Sequence, residues 1–79
     1  MSREELVSKL MDLAAKRFER SRDGMNPDDD FFDALGIDSF QAMELMTDVE
    51  DEFDVEVPDY ELQGVKTFTA LASVIEKRI

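Results

Sequence analysis

Side chains that ordinarily perform covalent chemistry are scarce in these 79 residues: there is no His and no Cys. Their absence removes the commonest general base and the best side-chain nucleophile. It also removes disulfides and structural zinc ligation by thiolate or imidazole. Carboxylates and hydroxyls remain. Among the hydroxyls Ser39 stands out, because it follows Asp38 directly and precedes Phe40. Its neighbours are acids, and no imidazole exists to take its proton. A reaction at Ser39 is therefore one that another enzyme performs on it, and the chain reads as a non-enzyme. Carboxylate pairs are so common in the middle of the chain that their proximity carries no catalytic information.

Nine Lys and Arg stand against 20 Asp and Glu, a formal charge of −11. That balance argues against nucleic acid, whose phosphates need cations, and against docking on anionic lipid. No apolar run approaches the roughly 20 residues that span a bilayer, and Met-Ser-Arg-Glu-Glu has no signal-like apolar stretch behind it. A cytoplasmic monomer, one domain over residues 1–79, is expected. The charge is uneven. Asp23 to Val65 holds 15 acids and no Lys or Arg, while the two flanks hold all nine basic residues and five acids. A basic partner is expected for the middle segment. Apolar content of 43% is too high for a disordered acidic chain.

The elements that position Ser39 follow from caps and periodicity. Ser2 and Glu5 form a capping box, and Leu6, Val7, Leu10, Met11, Leu13, Ala14 and Phe18 recur at helical spacing, which predicts a helix over residues 3–20. Asp23-Gly24 and Asn26-Pro27 are turn dipeptides, so residues 21–37 form a long connection. Phe31, Phe32, Leu35 and Ile37 tie it to the core, with a short helical turn over Phe31–Leu35 ended by Gly36. Asp38 caps the next helix, with Gln41 at the reciprocal position, and that helix runs to Phe53. Asp59 is expected to cap a short helix through Gln63, with Gly64 as its stop. Thr67 caps the last, in which Phe68, Leu71, Ala72, Val74, Ile75 and Ile79 form an apolar stripe. The fold class is all-α, a four-helix bundle with three longer helices, a short third one and a long first loop.

At about 100° per residue, Ala42, Leu45, Met46, Val49 and Phe53 share the buried side of the helix that starts after Asp38. Phe40, Glu44, Thr47 and Asp51 lie opposite, with Asp48 beside them, while Ser39 and Met43 fall on the border. Phe40 is thus an aromatic side chain among acids on the solvent face. Ser39 lies in the first turn, where free N–H groups and the positive dipole end would stabilise a phosphate ester on its hydroxyl. Taken alone, a Ser near a helix start is usually a plain capping residue.

Asp33-Ala34-Leu35-Gly36-Ile37-Asp38-Ser39-Phe40 resembles the attachment motif of acyl carrier proteins, usually written with Asp-Ser-Leu at its end. Met43-Glu44-Leu45, and Val49 to Asp59 with its Glu-Phe-Asp-Val-Glu-Val-Pro-Asp run, is similar to the family's second helix and the turn after it. The flanking helices match in pattern only. The resemblance implies a 4′-phosphopantetheine arm on Ser39, installed from coenzyme A by a phosphopantetheinyl transferase, with acyl groups riding on its thiol as thioesters. It implies that Asp38, Phe40, Glu44, Asp51 and Asp59 contact the basic docking patches of acyl-transferring and chain-elongating enzymes. Met43, Leu45, Met46, Leu62, Phe68 and Leu71 are then expected to line an acyl pocket; plain core filling is the simpler reading of them. The chain departs from the pattern at Phe40, Gln41, Thr47 and Gln63, which leaves a specialised lipid or polyketide pathway as open as fatty-acid synthesis.

Other readings compete. A D-alanyl or other aminoacyl carrier shares size and charge. An acidic decoy mimicking DNA would need no modified serine. Weak calcium binding at Asp28-Asp29-Asp30 or Glu50-Asp51-Glu52 lacks the spaced ligands and central Gly of an EF-hand, so no metal site is expected.

Overall fold

The computed structural model describes all of residues 1–79. Ser2 opens α1, Arg3–Phe18, with the reciprocal bonds of a capping box: the Glu5 amide donates to Ser2 Oγ at 3.1 Å and the Ser2 amide to Glu5 Oε1 at 3.3 Å. The helix stops at Phe18, short of the expected residue 20. Glu19 turns into left-handed backbone at φ 54°, and the Arg20 guanidinium donates to the Leu35 carbonyl at 3.0 Å. The Arg20 amide closes the helix on the Ala15 carbonyl at 2.9 Å, which leaves its side chain free to hold the loop.

Asp30 caps the short α2, Phe31–Leu35, accepting from the Phe32 amide at 2.9 Å, and Gly36 closes it at φ 65°. The long connection is fastened to the far end of the chain. The Phe31 amide donates to the Lys66 carbonyl at 2.8 Å, and the Thr69 amide to the Pro27 carbonyl at 3.1 Å. Phe31, Leu35 and Ile37 are buried and Phe32 is half-buried, as the sequence predicts.

The second long helix, α3, is Ser39–Phe53. Its C-cap Asp54 is left-handed at φ 54°, and Glu50 Oε2 accepts from the Val57 amide at 2.8 Å, folding the following turn back onto the helix. Next comes a 3-10 helix, Asp59–Leu62. The expected Asp59 cap does not form: Pro58 holds the cap position and no side chain bonds there. The turn is tighter than an α-helix: the Glu61 amide bonds the Pro58 carbonyl, three residues back, at 3.0 Å. Thr67 caps α4, Phe68–Glu76, accepting from the Ala70 amide at 3.0 Å. This helix also ends short of expectation, and Ile79 is 55% exposed rather than part of the apolar stripe. The Arg78 amide closes the last turn on the Ile75 carbonyl at 2.8 Å, and its guanidinium pairs with Glu61 of the 3-10 helix.

Three longer helices, one short 3-10 helix and a long first loop make the expected all-α bundle. Leu6, Leu10, Met11 and Ala14 of α1 meet Leu45, Met46 and Val49 of α3 and Phe68, Leu71, Ala72 and Ile75 of α4 in one apolar cluster. No polar residue is buried. Among the 15 acids between Asp23 and Val65, only Glu44, Asp48, Glu52 and Glu61 meet a cation. Exposed pairs of this kind contribute little, so self-repulsion dominates the charge balance. Raising NaCl from about 10 mM to about 200 mM is expected to raise the Tm by about 4–8 °C, the equivalent of ~1 kcal/mol for a domain this size. A Tm that stays level or falls in a calorimetric salt series contradicts this balance.

Candidate functional site

The start of α3 is built by three successive devices. Gly36, left-handed at φ 65°, reverses the chain after α2. Ile37 then drops into the core. Asp38 ends the turn as a capping box: its Oδ1 accepts from the Gln41 amide at 2.9 Å, and its amide donates to Gln41 Oε1 at 3.1 Å. Ser39 is therefore the first residue of the helix, and its side chain is exposed. With the Gln41 amide taken by Asp38 and the Ala42 amide by the Asp38 carbonyl, the amides of Ser39 and Phe40 have no partner within the chain. Two free N–H groups at the positive end of a fifteen-residue helix form a ready anion cradle beside the hydroxyl.

Ser39 also lies at the edge of an apolar cavity of about 180 Å³. Met43, Leu45, Met46, Leu62 and Leu71, five of the six side chains expected for an acyl pocket, line it. Phe68 does not: it is 2% exposed and stands behind Phe31, ring centroids 5.2 Å apart. Phe31, Phe32, Ala42 and Val65 complete the lining. These four are apolar and near Ser39 in sequence or opposite it across the bundle, but only the packing shows which of their faces meets a void.

Phe40 is 71% exposed and Met43 is 59% exposed, one turn apart on the outer side of α3. Asp38, Asp51 and Asp59 are exposed, whereas Glu44 is half-buried. Glu44 Oε2 lies 3.6 Å from Nη1 of Arg17, whose Nε and Nη2 hold both oxygens of Asp48. That hydrogen-bonded guanidinium keeps the Asp48 carboxyl below the usual carboxylate range and raises Arg17 in turn. No three carboxylates converge into a group that would hold a metal ion, and no helix is long and apolar enough to cross a membrane.

Two outcomes follow. Phe40→Ala is expected to change folding stability by less than about 0.5 kcal/mol in urea unfolding, since the ring packs on nothing buried. A loss of several kcal/mol would place the ring in the core. For Asp48, a folded-state pKa below the unfolded value of about 3.9 gives stability that is present above that pH and lost as pH falls through the lower folded value. Arg17→Gln removes it. The variant should melt slightly below the parent at neutral pH, and the gap should narrow as pH falls below the unfolded carboxylate value of about 3.9. A gap independent of pH would show that the guanidinium acts through packing alone.

Comparison with known proteins agrees with this geometry. A family model described as the phosphopantetheine attachment site matches residues 8–75. The chain is 37% identical over 76 residues to an acyl carrier protein of Lactobacillus acidophilus, covering 96% of this chain and 95% of that one. It is 31% identical over 78 residues to an acyl carrier protein of Chlorobium phaeovibrioides, covering 99% and 100%. An acyl carrier protein of Exiguobacterium sibiricum is 29% identical over 79 residues, each chain covered in full. With an unactivated serine opening a capped helix beside an apolar cavity, the chain belongs to the acyl carrier protein family: it is a phosphopantetheine carrier and not an enzyme.

Proposed function

We propose that Ser39 bears the 4′-phosphopantetheine arm and that the chain, a cytoplasmic monomer, presents short apolar acyl thioesters to successive biosynthetic enzymes. The observation that carries this reading is the exposed Ser39 hydroxyl at the rim of the cavity, beside two free amides. The residues fit the group. A phosphodiester on Ser39 Oγ would meet the Ser39 and Phe40 N–H groups and the helix dipole. When attached, the arm supplies the thiol that the sequence itself lacks. The chain's own work is to hold the phosphate end, to shelter an apolar guest from water, and to face its partners.

Nine of the ten lining residues are hydrophobic, which favours an acyl cargo over the charged ammonium of an aminoacyl one. A dry apolar cavity near 150 Å³ takes benzene, so about 180 Å³ suits a guest of about six carbon atoms. Asp38, Phe40, Glu44, Asp51 and Asp59 form the docking surface for the phosphopantetheinyl transferase and the acyl-handling enzymes. Acids there speed encounter with basic patches and let complexes dissociate in salt, while Phe40 supplies an aromatic anchor. The net charge of −11 keeps copies of the chain apart. Such a cargo fits a specialised lipid or polyketide pathway as well as early fatty-acid synthesis.

Intact mass after co-expression with a phosphopantetheinyl transferase tests the attachment. The parent chain should gain one phosphopantetheine and Ser39→Ala none. An unmodified parent would overturn the reading and favour the acidic decoy. A long-chain acyl group on native material would overturn the cargo size.

A further inference from the structure

The acidic face of α3 is already partly occupied, by this chain's own Arg17. Its Nε and Nη2 grip both carboxylate oxygens of Asp48, the second bond at 2.9 Å to Oδ1, and its Nη1 lies 3.6 Å from Glu44. Planar two-point binding of this kind is stronger and more directional than a point contact. The other cations that α1 lends to this side are held less closely: Lys9 reaches Glu52 only at 3.9 Å, and Lys16, which shares a groove with Asp48, Asp51 and Glu52, makes no ion pair. The Arg17 contact is open to competition, because the side chains of Arg17, Asp48 and Glu44 are 33%, 31% and 44% exposed. Asp51, also on the outside of α3, makes no ion pair, although it shares a surface groove with Lys16 and Arg17. One helix face therefore offers a basic visitor two unequal places: the Glu44–Asp48 position, filled from within, and the Asp51 position, open.

We propose that Arg17 is an internal competitor for the basic residues of partner proteins, and so a determinant of which partners dock on α3. A partner whose cations fall on Glu44 and Asp48 docks there only by displacing the guanidinium. A partner whose cations fall on Asp51 meets no such cost. Discrimination of this sort works by disfavouring one register rather than by strengthening another. A partner Lys, which cannot reproduce the fork, displaces Arg17 less readily than a partner Arg. The inference rests on the reading of α3 as the docking face. It requires nothing of Ser39 or of the arm.

A titration of the full-length chain, without the arm, with a pentalysine peptide at low salt tests it. Binding is read from the backbone amide shifts of α3. In the parent chain the Asp51 amide should move more than those of Glu44 and Asp48. Arg17→Gln should bind the peptide about threefold to fivefold more tightly, the range expected for release of a well-formed exposed pair, with Glu44 and Asp48 now moving. Arg22→Gln is the charge-matched control, since Arg22 pairs with Asp12 away from α3. It should change affinity less than about twofold by the same measure. Arg17→Lys keeps the net charge and loses the fork, so it should also bind more tightly than the parent. The proposal is overturned if Arg17→Gln and Arg22→Gln behave alike, or if Arg17→Lys binds as the parent does. A chain that gains no phosphopantetheine but shows the Arg17 effect would sink the carrier reading and leave this one standing.

Discussion

Two hydrogen bonds between Asp38 and Gln41 fix where α3 begins, at 2.9 and 3.1 Å. A shift of that start by one residue would rotate the following side chains by about 100° relative to the backbone entering the helix. Ile37 on one side of the cap, and Leu45, Met46 and Val49 on the other, are buried and hold the helix in one phase. In that phase Ser39 and Phe40 have no place in the core. The cap uses the Gln41 amide and leaves those of Ser39 and Phe40 free. The same few residues thus set exposure, anion affinity and proximity to the cavity at once. Gly36 permits the arrangement, because its left-handed backbone lets Ile37 and Asp38 point in opposite senses within two residues.

Electrostatics has two tiers. The net charge of −11 acts at long range on every approaching partner. Within contact distance the flanks of the chain answer part of it. Arg17 and Lys9 reach α3, Arg78 reaches the 3-10 helix, and Arg3 reaches Glu76, whose carboxyl it holds below the usual range. Arg17, Lys9 and Arg78 thus clasp the basic ends to the acidic middle, while Arg3–Glu76 joins the two ends.

Local signals explain most of what the sequence discloses. Ser2/Glu5 and Asp38/Gln41 are reciprocal pairs three residues apart, so the starts of α1 and α3 can be read directly. Phe31, Leu35 and Ile37 announce themselves as anchors because an apolar side chain in an acidic loop has nowhere else to go. Helix ends are less legible, since no Gly or Pro marks the ends of α1 and α4. α1 ends on Glu19 in left-handed backbone while the Arg20 side chain reaches Leu35, and Arg78 closes α4 while reaching Glu61. Asp59–Leu62 starts after Pro58 with no side-chain cap, so no local pattern marks its start. The cavity was half visible: helical phase points Met43, Leu45 and Met46 the right way, but Phe68 and Phe31 exchange roles through packing alone. Arg17 and Asp48 lie 31 residues apart, and no local pattern joins them.

The account's central claim is that the start of α3, and no other hydroxyl, receives the arm. The chain has four further serines, Ser2, Ser8, Ser21 and Ser73. Ser2 caps α1 and its hydroxyl accepts from Glu5, Ser8 accepts from Arg22, Ser21 accepts from the Asp23 amide, and Ser73 donates to the Thr69 carbonyl. Tandem mass spectrometry of peptides from the enzymatically loaded protein locates the modification. The account predicts phosphopantetheine on Ser39 and on no other residue. Its appearance on any of the other four serines would contradict it.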